Sequence, residues 1–393
     1  MNKDITIVGY TIYGLIAALK ASKKTNNIIL ITSSKNDESI DIINDDFIKY
    51  NDSLYKAQEL KKIIKDELLS KNVEIWYNSF TKISRYEDGY FMLDVINQNG
   101  ISNIKTKALI LDQGELSSSP YNDLIPSTNL YGVLSLESIY NYYLNLKLLP
   151  VLNPIIYGIN NNTLGLVNLL NNCGVEIRAI MTNYSKEFIN SSYIDEINKL
   201  NIPVYFNTKL ISFNGINRIN EIEVSINNKR FLFDTDSLIY SNNFYSNLSL
   251  INKYFKDYKY NRVDQFFMSD IDNLFIVGKS LNSKLLSDSL NEISIDVGLN
   301  STKTKRGERK LINILKSDEI EYIYPNILDL SVELNTIKFY ISIPQIKKYS
   351  NILLTQGNNE IYVEKIDDCI SSINIDFSKI ELNNSQDICI SLK

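Results

Sequence analysis

Residues 4–34 read DITIVGYTIYGLIAALKASKKTNNIILITSS. An apolar run, a glycine turn, a breaker-free stretch of small residues and a second apolar run follow within about thirty residues. That is the spacing of a strand–helix–strand unit shaped to hold a dinucleotide. In such a unit the turn reads G-x-G-x-x-G; here it reads Gly9-Tyr10-Thr11-Ile12-Tyr13-Gly14. The first glycine makes the tight turn, the second lets the backbone approach a pyrophosphate, and the third lets the helix pack on the strand. Gly9 and Gly14 therefore keep the geometry, and Thr11 replaces the ligand-contact glycine. Extra atoms in filled space cost about 1–3 kcal/mol. A hydroxyl can offset part of that by donating to a phosphate, and the helix N-terminus still attracts an anion. Side chains that would close this turn to a dinucleotide are Tyr10, Thr11 and Tyr13.

The pattern recurs. NPIIYGINNNTLGLVNLLNNCGVEIRAIMTN, residues 153–183, again gives apolar strand, turn, helix and apolar strand. Its turn keeps only Gly158, with Asn160 and Thr163 where two glycines would stand. Two such units about 150 residues apart argue for an internal duplication and a two-nucleotide architecture. A dinucleotide unit also carries an acid at the end of its second strand to hold the ribose. The first unit has Thr32-Ser33-Ser34 there and the second Thr182-Asn183. These can hydrogen-bond a ribose, without charge assistance. Lys35 could suit a ribose phosphate.

The spacing predicts strands at Ile5–Val8, Ile28–Thr32, Val73–Tyr77, Phe80–Ser84, Tyr90–Ile96 and Lys105–Leu111. It predicts helices over Ile12–Lys23, Asp52–Lys71, Glu137–Leu149 and Ser283–Asn300, and further strands at Ile202–Phe206, Glu221–Ile226, Arg230–Phe233, Ser237–Tyr240 and Leu274–Val277. From Lys305 the pattern turns strand-rich, with runs at Ile320–Tyr324, Thr336–Ile343, Glu360–Val363 and Ile370–Ile375. The expected fold is α/β, a Rossmann-like three-layer fold with an inserted second dinucleotide-binding domain and a small C-terminal β-rich domain. Its expected parts are residues 1–150 and 241–304 of a first dinucleotide-binding domain, 151–240 of the inserted one, and 305–393 of the β-rich tail.

Composition narrows the chemistry. The 393 residues contain no histidine, which excludes His-based triads, general bases and metal ligands. Cys173, Cys369 and Cys389 are scattered, so no dithiol or zinc knuckle is expected. Cys173, late in the second helix, reads as a buried packing residue. A net charge of -5 gives no footprint for nucleic acid. No apolar run reaches a membrane span, and the N-terminus is unlike a signal peptide, so a cytoplasmic location is expected. An enzyme of this make-up would take its chemistry from a cofactor.

The order of landmarks resembles the two-dinucleotide-binding-domain flavoproteins of the pyridine-nucleotide–disulfide-oxidoreductase-like superfamily, over roughly residues 1–300. Besides the two βαβ units, the resemblance rests on Leu109-Ile110-Leu111-Asp112-Gln113-Gly114, where that family has Ala-Thr-Gly, and on DNLFIVGKS (272–280), where it has a strand ending in Gly-Asp. The stretches GVLSLESIYNYYLNLKLLP, NIPVYFNTKLISFNGINRINEIEV and GKSLNSKLLSDSLNEISIDVG resemble the flavoprotein found with anaerobic glycerol-3-phosphate dehydrogenase, and more distantly the α subunits of opine oxidase and hydrogen cyanide synthase. The resemblance implies that the first domain is FAD-binding-like and the insert NAD(P)-binding-like. It implies FAD held by Gly9, Thr11 and Gly14 at the pyrophosphate, Thr32 near the ribose, Gly114 at the crossing, and Gly278 with Lys279 near the ribitol. It implies NAD(P) at Gly158, Asn160 and Thr163, and a dehydrogenase partner subunit or a homo-oligomer. No catalytic residue and no metal ligand is named. Two functions stay open ahead of a third, a pure nucleotide-binding or sensing module. One is an FAD-dependent oxidoreductase or electron-transfer subunit. The other is a non-catalytic relative whose nucleotide pockets are closed by Thr11, Asn160 and Thr163.

Overall fold

The computed structural model describes residues 1–34, 47–51, 53–126, 129–189, 191–256, 258, 261–303, 308–343, 351–365 and 372–393. Lys35 and Cys369 lie outside the described residues. The chain begins with β1 (Asn2–Gly9), α1 (Ile12–Ala21) and β2 (Ile28–Ile31), then β3 (Phe47–Tyr50), β4 (Ser53–Lys56) and α2 (Ala57–Ser70). Next come β5 (Glu74–Trp76), β6 (Phe80–Glu87), β7 (Tyr90–Asn97), β8 (Gly100–Asp112), β9 (Glu115–Ser117), β10 (Val133–Ser135) and α3 (Leu136–Leu146). The second βαβ unit is β11 (Pro154–Tyr157), α4 (Asn161–Asn172) and β12 (Ala179–Met181). It is followed by α5 (Ser191–Lys199), β13 (Val204–Tyr205), β14 (Thr208–Gly215), β15 (Ile219–Ile226), β16 (Lys229–Asp234), β17 (Ser237–Tyr240) and β18 (Phe244–Ser246). Then come α6 (Ser249–Tyr254), β19 (Leu274–Ile276) and α7 (Ser287–Asn300). The tail holds β20 (Leu311–Lys316), β21 (Tyr322–Tyr324), β22 (Ile327–Asp329), β23 (Thr336–Ser342), β24 (Asn351–Gln356), β25 (Asn359–Lys365), β26 (Ser372–Asp376) and β27 (Ile388–Leu392).

The first sheet runs β5-β2-β1-β8-β7-β6, with β19 also pairing β8. Its β5, β2, β1, β8 and β19 contacts are parallel, and β6–β7–β8 form an antiparallel meander. The central runs ITIV and IILI are buried on both faces, as parallel strands require. Helix α1 is buried nearly all round, which its leucine, isoleucine and alanine content permits. It packs against α2 and α7, and Gly298 lets α7 approach: a Cβ there would lie 2.4 Å from the Ala17 carbonyl oxygen.

The second unit is a three-layer stack. Its parallel sheet, β10-β17-β11-β12-β13, covers one face with α3, α4 and α5 and the other with the antiparallel β14-β15-β16. In the tail, the sheets β22-β20-β27-β24-β25 and β21-β23-β26 share a separate apolar core.

Several boundaries differ from the sequence expectation. The helix expected over Asp52–Lys71 starts at Ala57, because Ser53–Lys56 pair with Phe47–Tyr50 as a hairpin. Leu54, expected on its apolar face, is therefore an exposed strand residue. The helix expected over Glu137–Leu149 ends at Leu146, where Lys147 takes φ +55°. Cys173 caps α4 at its C-terminus and is exposed, so it is no packing residue. The strand expected over Ile370–Ile375 is seen from Ser372; its first two residues lie outside the described residues.

Candidate functional site

The parallel register of β1 on β8 sets Gly9 beside Asp112. Gly9 has φ +128°, and a Cβ there would lie 1.8 Å from the Asp112 carbonyl oxygen. No L side chain fits that position. Thr11 is the N-cap of α1, its hydroxyl oxygen accepting from the Tyr13 N–H at 3.2 Å. The Thr11 N–H donates to Asp112 Oδ2 at 2.6 Å, and the Thr11 hydroxyl donates to Oδ1 at 2.5 Å. Asp112 is 1% exposed. A Cβ on Gly14 would lie 2.2 Å from Oδ2, and one on Gly278 (φ +63°) 3.1 Å from Oδ1. Gly9 thus clears the main chain of Asp112, and Gly14 and Gly278 clear its carboxylate, which is seated at the helix N-terminus. Charge-assisted bonds of this kind contribute about 1.5–3 kcal/mol, and the helix dipole favours the anion further.

This placement was missed by sequence reasoning. The turn is filled by a side chain from the neighbouring strand. Tyr10 and Tyr13, the residues expected to fill it, are themselves buried, Tyr13 beside Gly278. Tyr10 is held from α2: the buried Lys61 ammonium donates to its carbonyl oxygen at 2.8 Å and lies 4.3 Å from its ring centroid. The Tyr77 hydroxyl donates to the Tyr10 hydroxyl at 3.0 Å. The one signal for Asp112 was an acid ending an apolar strand where the resembling family has alanine.

A cleft of about 870 Å³ opens over the carboxyl ends of β1, β2 and β8. Thr11, Thr32, Gly114 and Lys279 all line it. Thr32 is buried; its hydroxyl accepts from the Ser34 N–H at 3.1 Å. Gly114 (φ +73°) accepts from the Asn247 N–H at 3.0 Å. Lys279 donates to the Ser283 carbonyl oxygen at 2.6 Å. Two more acids reach the cleft: Glu137, bound by the N–H and hydroxyl of Ser117, and Glu115, which accepts from Asn162 at 2.8 Å.

The second turn is closed from within, and its Asn162 reaches the same cleft. Gly158 has φ +123°, and a Cβ there would lie 2.1 Å from the Ser241 carbonyl oxygen. Asn160 caps α4, its side-chain oxygen accepting from the Thr163 N–H at 3.1 Å; the Thr163 hydroxyl accepts from the Asn160 N–H at 3.3 Å. This capping box satisfies two of the donors that a pyrophosphate would take, the N–H groups of Asn160 and Thr163. Asn160 also donates to the Ser241 carbonyl oxygen at 2.8 Å, and Thr163 is fully buried. Thr182 is fully buried as well, accepting from the Tyr184 N–H at 3.3 Å.

These residues do not fit a diphosphate at α1 as they stand. A further unit charge 4 Å from the Asp112 carboxylate costs about 4 kcal/mol at an effective dielectric of ~20. The Thr11 N–H and hydroxyl are already taken by Asp112.

No family model and no curated protein matches this sequence. Solved structures do match. Thioredoxin reductase of T. acidophilum superposes with TM-score 0.59 and 14% identity, over 77% of this chain and 98% of that one. A Bacillus cereus bacillithiol disulfide reductase gives 0.57 and 12%, over 77% and 99%. An NAD-dependent persulfide reductase from A. fulgidus gives 0.56 and 12%, over 91% and 67%. The chain shares the fold of these reductases, a Rossmann-like α/β architecture. No helix among the described residues is long and apolar enough to cross a membrane.

Proposed function

We propose that this chain keeps the flavoprotein fold as a non-catalytic scaffold or partner subunit and holds no dinucleotide. The observation that carries this reading is the Asp112 carboxylate at the N-terminus of α1, on the donors a diphosphate would need. The capping box of Asn160 and Thr163 supports it at the second turn. Loss of ligand contacts with retention of the packing glycines is what a fold kept for its shape would show. Separate apolar cores support an inserted unit and a C-terminal β-rich unit over 305–393; the insert's core takes in Leu130, Leu136, Ile139 and Tyr140, so its first bound falls before the expected 151 and the first domain's opening part ends before 150. By resemblance, its partner in the cytoplasm would be a glycerol-3-phosphate-type dehydrogenase subunit or a second copy of itself.

One observation favours a second reading, an FAD-dependent oxidoreductase or electron-transfer subunit: the cleft of about 870 Å³ stays open. That is within the range of small-molecule sites, about 300–1,000 Å³. FAD would supply the redox chemistry there, and Asp112 would have to leave the turn first.

The absorbance of the purified protein separates the two. It should be colourless near about 450 nm, where oxidised flavin absorbs, and stay so after incubation with FAD and desalting. A yellow protein, or stoichiometric uptake of FAD, would replace the first reading by the second.

A further inference from the structure

We propose that Asp112 is a resident substitute for the phosphate that the β1–α1 turn is shaped to receive, and that Thr11 is its matched partner. This rests on the reading that no dinucleotide is held. It goes further by naming the residue responsible and what its removal restores.

A phosphate at a helix N-terminus takes main-chain N–H groups, hydroxyl donors and the positive end of the dipole. Asp112 takes donors of the same kinds: the N–H of the N-cap residue Thr11 on one oxygen and the Thr11 hydroxyl on the other. The space around it is the space that glycines keep clear, at Gly9, Gly14 and Gly278. A glycine at position 11 would offer the N–H but no hydroxyl. Thr11 is thus no random blemish in the fingerprint; its second donor is used by the carboxylate. An anion supplied by the chain itself loses no translational freedom on binding, so it outcompetes a free anion for the same donors. With Asp112 in place the cleft rejects diphosphates; with it removed, the Thr11 donors face an open cleft.

The test is thermal unfolding and isothermal titration of the full chain with inorganic pyrophosphate. Three proteins are compared: wild type, Asp112→Ala, and Thr11→Gly/Asp112→Ala, which also returns the missing glycine. The wild type should show no binding and no shift. Asp112→Ala should unfold at a lower temperature than the wild type and regain several degrees with millimolar pyrophosphate, because a ligand that binds only the folded state stabilises it. The double variant should respond in the same direction. If Asp112→Ala does not fold alone, refolding with pyrophosphate should recover it. Folded variants that ignore pyrophosphate, or variants that stay unfolded in its presence, overturn the inference. In either case a colourless wild type leaves the non-catalytic reading standing. A wild type that takes up FAD overturns that reading and this inference together.

Discussion

Gly14 owes its lack of a side chain to one neighbour. A Cβ there would meet Oδ2, Cγ and Cβ of Asp112 at 2.2, 2.6 and 2.9 Å. Gly14→Ala should destabilise the protein by about 1–3 kcal/mol through overpacking. Asp112→Gly should cancel most of that penalty, since it removes all three atoms. Urea unfolding of both single variants and the double variant reads the coupling. Additive effects would return Gly14 to ordinary helix–strand packing. At this scale the sequence made Gly9 and Gly14 legible, because a fixed local spacing marks them. Asp112 was not legible in the same way. It lies about a hundred residues from Thr11, and only the register of β1 on β8 brings the two together.

Among elements, α7 makes a titrating contact. Glu292 and Asp296 sit one turn apart on it, and Lys338 and Tyr340 of β23 bind Glu292. Burial raises the pKa of Asp296, Glu292 beside it adds to the rise, and Lys338 opposes it. The folded state therefore holds this proton more tightly than the unfolded chain. The stabilisation is present below the ordinary value of 3.8 and is lost as pH rises through the raised value. Asp296→Asn should gain stability relative to the wild type as denaturant titrations move from acid toward neutral pH. A constant difference across that range would deny Asp296 the role. Helical period made α2 and α7 visible in the sequence, but not their starts. Ser53–Lys56 follow a strand because a partner at Phe47–Tyr50 exists, which periodicity within one segment does not register. Short strands such as β9, β10 and β18, each three residues, carry too little pattern to be seen at all.

Across the whole molecule, the C-terminal sheets are joined to the first core through Arg309. Its guanidinium is 4% exposed and meets Asp272 Oδ1 at 2.6 Å, Asp264 Oδ2 at 3.3 Å and the Ser269 carbonyl oxygen at 2.7 Å. Asp264 is fully buried, so Arg309→Ala takes a cation away from a buried carboxylate. Removing one partner of a buried pair costs about 3–5 kcal/mol, and thermal unfolding should show a loss of that order. A loss under about 1 kcal/mol would place the pair with ordinary surface bridges. The order of landmarks along the chain foretold this architecture better than any one motif did. Strand order and insertion follow from where the apolar runs fall, whereas the clamp depends on side chains that meet only after folding.

The self-capped α1 also bears on supply. A protein whose helix terminus waits for a cofactor gains part of its folding energy from that cofactor, so its folded amount follows the cofactor's concentration. Here the charge that completes the terminus is translated with the chain. On the non-catalytic reading proposed above, the folded amount of this protein is set by its own synthesis, and a cell short of riboflavin should make as much of it as one with plenty.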